Sequence, residues 1–128
     1  MKNFSIIFLV LMAQVASANE FSKEGSNNLM TALKDKQWIH GSKDCKKNKD
    51  PKIEVYQYDE SSYILRQSKC MTYEAPFIYL LIGDKKTVVI DTGATEDEKA
   101  FPLYKTVQSL HQKHRIAEGE NHELLVLH

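Results

Sequence analysis

The stretch Phe77-Ile78-Tyr79-Leu80-Leu81-Ile82-Gly83-Asp84-Lys85-Lys86-Thr87-Val88-Val89-Ile90-Asp91-Thr92-Gly93 decides how this chain is read. It holds two continuous apolar runs around a polar turn that starts at Gly83-Asp84. Runs of this length, without the alternation of a half-exposed strand, predict a β-hairpin buried on both faces or nearly so. The second run ends in Asp91-Thr92-Gly93. A carboxylate at the C-terminal edge of an apolar strand stands where α/β sheets place their sites, and Gly93 allows the sharp backbone turn such a position needs. The tripeptide alone is equally compatible with Asp91 as a turn former or a helix-side cap.

Upstream, Ile53-Glu54-Val55-Tyr56-Gln57-Tyr58 has strand composition, Asp59-Glu60-Ser61-Ser62 reads as a turn, and Tyr63-Ile64-Leu65-Arg66-Gln67 reads as the returning strand. Residues 40–52 are basic and turn-rich, with Gly41, Asn48, Asp50 and Pro51, and predict a loop. Before it, Ser26-Asn27-Asn28 introduces a helical pattern carrying Leu29, Met30 and Leu33 on one face, which Trp38 and Ile39 end.

Downstream, Leu103, Val107 and Leu110 share a helical face, with Tyr104 beside them. Two starts compete for this helix. Thr95 with Glu98 is a capping-box pattern, whereas Pro102 suits a first turn. A loop at Glu118-Gly119-Glu120-Asn121 leads to Leu124-Leu125-Val126-Leu127, which predicts another buried strand.

The N-terminus has the pattern of a secretory signal peptide. Met1-Lys2-Asn3 is a short positive start, Phe4 to Ala13 is almost wholly apolar, and Ala16-Ser17-Ala18 is an Ala-x-Ala cleavage site. The apolar run is shorter than the roughly 20 residues a membrane span needs. Cleavage would place the protein in a periplasm or outside the cell. Removing 18 of the 128 residues leaves 110, the size of one small domain. One lysine leaves with them, so 16 basic side chains face 17 acidic ones. That balance offers no electrostatic footprint for nucleic acid or for an anionic membrane.

Both cysteines, Cys45 and Cys70, fall in the exported part. An even pair in an oxidising compartment reads as a disulfide, which would contribute about 3 kcal/mol in the chain-entropy view. Two free buried thiols or a metal pair are the alternatives, and the absence of a Cys-x-x-Cys makes the metal pair the poorer one.

Taken in order, the apolar hairpin, Asp91-Thr92-Gly93, the helix and the apolar strand ending at Leu127-His128 resemble the metallo-β-lactamase fold family. The resemblance spans roughly residues 53–128, and order and spacing agree as well as the tripeptide. It implies an α+β fold in which this chain is the N-terminal half of an αββα sandwich: a mixed β-sheet with flanking helices, incomplete as it stands. The expected organisation is a signal peptide at 1–18, a helix and disulfide-tied loop at 19–52, and a partial domain at 53–128.

In that family the strand after the helix delivers His-x-His-x-Asp-His. These ligands hold zinc, which lowers the pKa of a bound water so that hydroxide exists near neutral pH. Substrates of such enzymes are small-molecule esters, lactams, thioesters or phosphoesters. The resemblance gives Asp91, Thr92 and Gly93 a supporting role beside the metal loop. It makes His128 the candidate first metal ligand, or the residue before it.

The chain departs from the pattern because His-x-His-x-Asp-His is missing. Its histidines are His40, His111, His114, His122 and His128. His111 and His114, three apart on the predicted helix, read as surface residues, and His122 as a loop residue. The expectation is therefore the N-terminal portion of an exported zinc-dependent hydrolase, catalytically inactive by itself and binding no zinc.

Two other readings compete. One is a small secreted, disulfide-tied binding or inhibitor domain presenting Tyr56, Tyr58, Tyr63 and Tyr73. The other is a dimeric, retroviral-type aspartic protease, in which Asp91 from each of two chains would share a proton.

Overall fold

A computed structural model describes residues 25–41, 43–115 and 122–127. The signal-peptide reading of residues 1–18, the loop at 118–121 and His128 lie outside them. Contacts divide the chain into Met1–Lys36 and Gln37–His128. The first unit contributes helix α1, residues 25–35. Ser26, Asn27 and Asn28 lie inside α1 rather than before it. The Thr31 hydroxyl donates to the Asn27 carbonyl at 2.9 Å, one turn back. Trp38 and Ile39 fall beyond the helix, in the second unit.

The second unit is built on a five-stranded mixed sheet, so the α+β class holds. The strands are β1 (Ile53–Gln57), β2 (Ser62–Gln67), β3 (Phe77–Ile82), β4 (Lys86–Ile90) and β5 (Glu123–Leu127), with helix α2 (Leu103–Arg115) between β4 and β5. Their spatial order is their chain order. The first three pairings are antiparallel, as hairpins require, and β5 joins β4 in parallel. A parallel neighbour needs a crossover, and α2 supplies it.

Strand pairing sorts the side chains onto two faces. Tyr63 stands opposite Leu80, Leu65 opposite Ile78, and Leu80 opposite Val89. These residues, with Ile82, are buried, and Phe101, Val107 and Leu110 from α2 and its approach complete the core. Leu65, Ile78 and Leu80 are fully enclosed, and burying each such side chain stabilises by about 1.5–3 kcal/mol.

The opposite face differs from the sequence expectation. Tyr79 and Leu81 of β3 are 42% and 43% exposed, and Ile90 of β4 is 38% exposed. The hairpin is therefore buried on one face only. Continuous apolar runs cannot distinguish a strand covered on both sides from one with a bare apolar face. The last strand is corrected too: Leu124, Val126 and Leu127 are all exposed, so β5 is an open apolar edge rather than a buried strand.

One end of this second face is covered by the segment before β1. Trp38 packs edge-on against Tyr56 and Phe77, with ring centroids 5.6 and 5.0 Å apart. The Ile39 N–H donates to Glu54 at 2.9 Å, and the Arg66 guanidinium lies 4.1 Å over the Phe77 ring.

The 40–52 loop is tied down by the disulfide Cys45–Cys70. Of the two helix starts, Pro102 marks the real one: α2 opens at Leu103, and the Thr106 N–H donates to the Pro102 carbonyl. A separate turn comes first, closed by the Phe101 N–H on the Asp97 carbonyl at 2.8 Å.

Candidate functional site

The Asp-Thr-Gly motif forms a tight loop at the C-terminal end of β4. Asp91 has φ +71° and Gly93 has φ +78°. Left-handed backbone is costly for most residues. Aspartate is among the few that tolerate it, and glycine adopts it freely. The Asp91 carboxylate accepts from the Gly93 N–H at 2.8 Å, which closes the turn around Thr92. Asp91 itself is exposed.

Gln67 holds this loop from beneath. Its side chain is fully buried at the end of β2, yet both ends of its amide are satisfied. Oε1 accepts from the Ala94 N–H at 3.0 Å, and Nε2 donates to the Thr95 hydroxyl at 2.7 Å. Gly93 must lack a side chain here for a second reason. A Cβ would sit 2.7 Å from the Phe101 ring and 2.9 Å from Gln67 Oε1. Sequence reading passed over Gln67. Its signal was available: in the alternation Tyr63, Leu65, Gln67, a polar residue takes a core-facing position.

The neighbouring strand ends beside this loop. Ile90 pairs with Leu127, and the Asp91 N–H donates to the Leu127 carbonyl at 2.9 Å. The described end of β5 therefore lies beside Asp91.

No protein-family model matches the chain, and no curated protein or solved structure matches it.

The described histidines do not converge on that loop. His114 Nε2 is 2.9 Å from the buried Tyr63 hydroxyl. His111 Nδ1 and His122 Nε2 both lie 2.9 Å from the hydroxyl of Thr87, which is itself fully buried. The two rings meet edge-on at 4.7 Å. One hydroxyl donates one proton and accepts with its lone pairs. The pair is thus satisfied when one imidazole accepts from Thr87 and the other donates to it. These three histidines are half-buried docking residues between α2, the sheet and the approach to β5, and not the surface residues expected, although His122 does lie in the loop before β5. Two of them share the start of β4, at the opposite end of the sheet from Asp91.

Among the described residues, no group of three or more His, Cys, Asp or Glu side chains could hold a metal ion. At the loop itself, Asp91 accepts from the Gly93 N–H, and among the described residues no imidazole is bonded to it. The described residues do not fit zinc by themselves. Among the described residues, no helix is long and apolar enough to cross a membrane.

Proposed function

We propose that this chain is the N-terminal portion of an exported, metal-dependent hydrolase of the metallo-β-lactamase type. In this reading Asp91, Thr92 and Gly93 support the metal loop, and the ligands come after β5. The observation that carries the reading is the parallel register of β4 and β5. With Leu127 bonded to Asp91, a His-x-His-x-Asp-His segment after β5 would emerge beside Asp-Thr-Gly, as such a site requires. Zinc held there would activate water for attack on an ester, lactam, thioester or phosphoester. The chain's own contribution is the scaffold: Gln67 and Gly93 fix the loop, and α2 sets β5 alongside β4.

The bare second face supports the same reading. Tyr79, Leu81, Ile90 and Leu127 form an apolar surface on one side of the sheet. A second layer of structure would bury it, as two-layer domains require. The competing reading is a complete, disulfide-tied secreted binding domain, for which that surface would be the contact patch. The dimeric-protease reading gains no comparable support, because Asp-Thr-Gly leads into a turn and α2.

Thermal unfolding with an apolar dye separates the first two. The hydrolase portion is expected to bind the dye in its folded state and to unfold broadly at low temperature. A sharp cooperative transition with no folded-state dye binding would favour the complete domain.

A further inference from the structure

The disulfide stands apart from the Asp91 loop and has chemistry of its own. Cys45 is exposed, whereas Cys70 is half-buried. The Asn48 side-chain amide donates to Cys70 Sγ at 3.3 Å. Gly41 packs against the same sulfur so closely that a Cβ there would lie 3.2 Å from it. The two half-cystines therefore sit differently: Cys45 is the exposed residue of the pair, and Cys70 is half-buried with Asn48 donating to its sulfur. A depression of about 250 Å³ lies beside them, lined by Cys45, Asn48, Asp50, Lys52, Ser68, Cys70 and Met71. The surrounding stretch 43–52 carries five lysines against two aspartates, an attractive field for an incoming anion.

We infer that Cys45–Cys70 is an exchange site for low-molecular-weight thiols, with Cys45 as the sulfur attacked and Cys70 as the leaving group. An incoming thiolate forms a new S–S bond to Cys45 Sγ. The Cys45–Cys70 bond breaks, and its electron pair stays on Cys70 Sγ as a thiolate held by the Asn48 N–H. A second thiolate then attacks the mixed disulfide and releases the Cys45 thiolate. Two small thiols are oxidised to one disulfide as the protein's own is reduced. Exchange rates rise when the leaving thiolate is stabilised and the attacked sulfur is accessible, and the geometry supplies both. The assignment does not depend on the hydrolase reading.

The test exposes the folded full chain to reduced glutathione, quenches with acid and an alkylating agent, and maps the adduct by peptide mass spectrometry. The glutathione is expected on Cys45. Asn48→Asp keeps the carbonyl-type oxygen that caps the Asp50 N–H at 3.2 Å but loses the donor to sulfur, and Asn48→Ala loses it without adding charge. Each is expected to slow the reaction about fivefold, the worth of one such hydrogen bond. Adduct on Cys70, reaction only under denaturant, or an unchanged rate in the folded Asn48 variants would overturn the assignment. Adduct mapping on the unsubstituted chain decides the matter even if neither variant folds.

Discussion

Gln67 donates to the hydroxyl of Thr95 at 2.7 Å, joining the end of β2 to the loop beyond Asp-Thr-Gly across 28 positions of sequence. The same amide receives the Ala94 N–H. Removing it should leave both partners short of a bond in a half-buried setting. An unsatisfied buried polar group costs about 1–3 kcal/mol. Gln67→Leu is therefore expected to lower stability by about 2–3 kcal/mol in urea unfolding, more than an apolar gain at this site would offset.

Gly93 is constrained by conformation and by space. Its φ of +78° is strained for any residue with a side chain, and a Cβ would approach Phe101 Cε1 to 2.7 Å. Gly93→Ala should cost about 2 kcal/mol or more. An unchanged unfolding midpoint would show that the loop is looser than described.

Thr87→Val keeps the shape of the side chain and removes the hydroxyl shared by His111 and His122. The two imidazoles then lose their common partner at the base of β4. Stability should fall by about 1–2 kcal/mol. Amide hydrogen exchange should rise in the last turns of α2 and in β5, which that hydroxyl connects, while the β1–β2 hairpin stays protected.

The β1–β2 turn carries an acid-sensitive group, Asp59. Burial pushes the Asp59 carboxyl up, but hydrogen bonds from Ser61 and Ser62 outweigh it and hold the group below its ordinary value of 3.8. A carboxyl lowered by folding stabilises the native state above its unfolded pKa, and that contribution is lost as pH falls through the folded value. The Ser61 N–H donates to this carboxylate at 2.8 Å. The carboxyl resonance of Asp59 should therefore titrate with a midpoint below that of the unfolded chain, and Asp59→Asn should remove a small part of the acid-induced loss of stability.

Much of the sheet was legible from residue types. Both hairpins arise from apolar runs broken by polar turns, and α2 from the spacing of Leu103, Val107 and Leu110. Burial was less legible. Phe77 to Ile82 reads as equally apolar on both sides, and only pairing shows that Ile78 and Leu80 face α2 while Tyr79 and Leu81 face outward. At the site, Asp91-Thr92-Gly93 announced itself as a motif. Gln67 did not, because its partners Ala94 and Thr95 are distant in sequence. The histidines misled for the same reason: spacing along α2 says nothing about Thr87 or Tyr63, which strands from elsewhere bring beneath them.

The hydrolase reading stands or falls on the residues that continue the chain from β5 beside Asp91. The most direct measurement is the nucleotide sequence downstream of the His128 codon, read in all three frames from the source transcript. His-x-His-x-Asp-His is predicted within the first few codons, in frame or in a shifted frame. A downstream sequence with no such motif in any frame would contradict the reading.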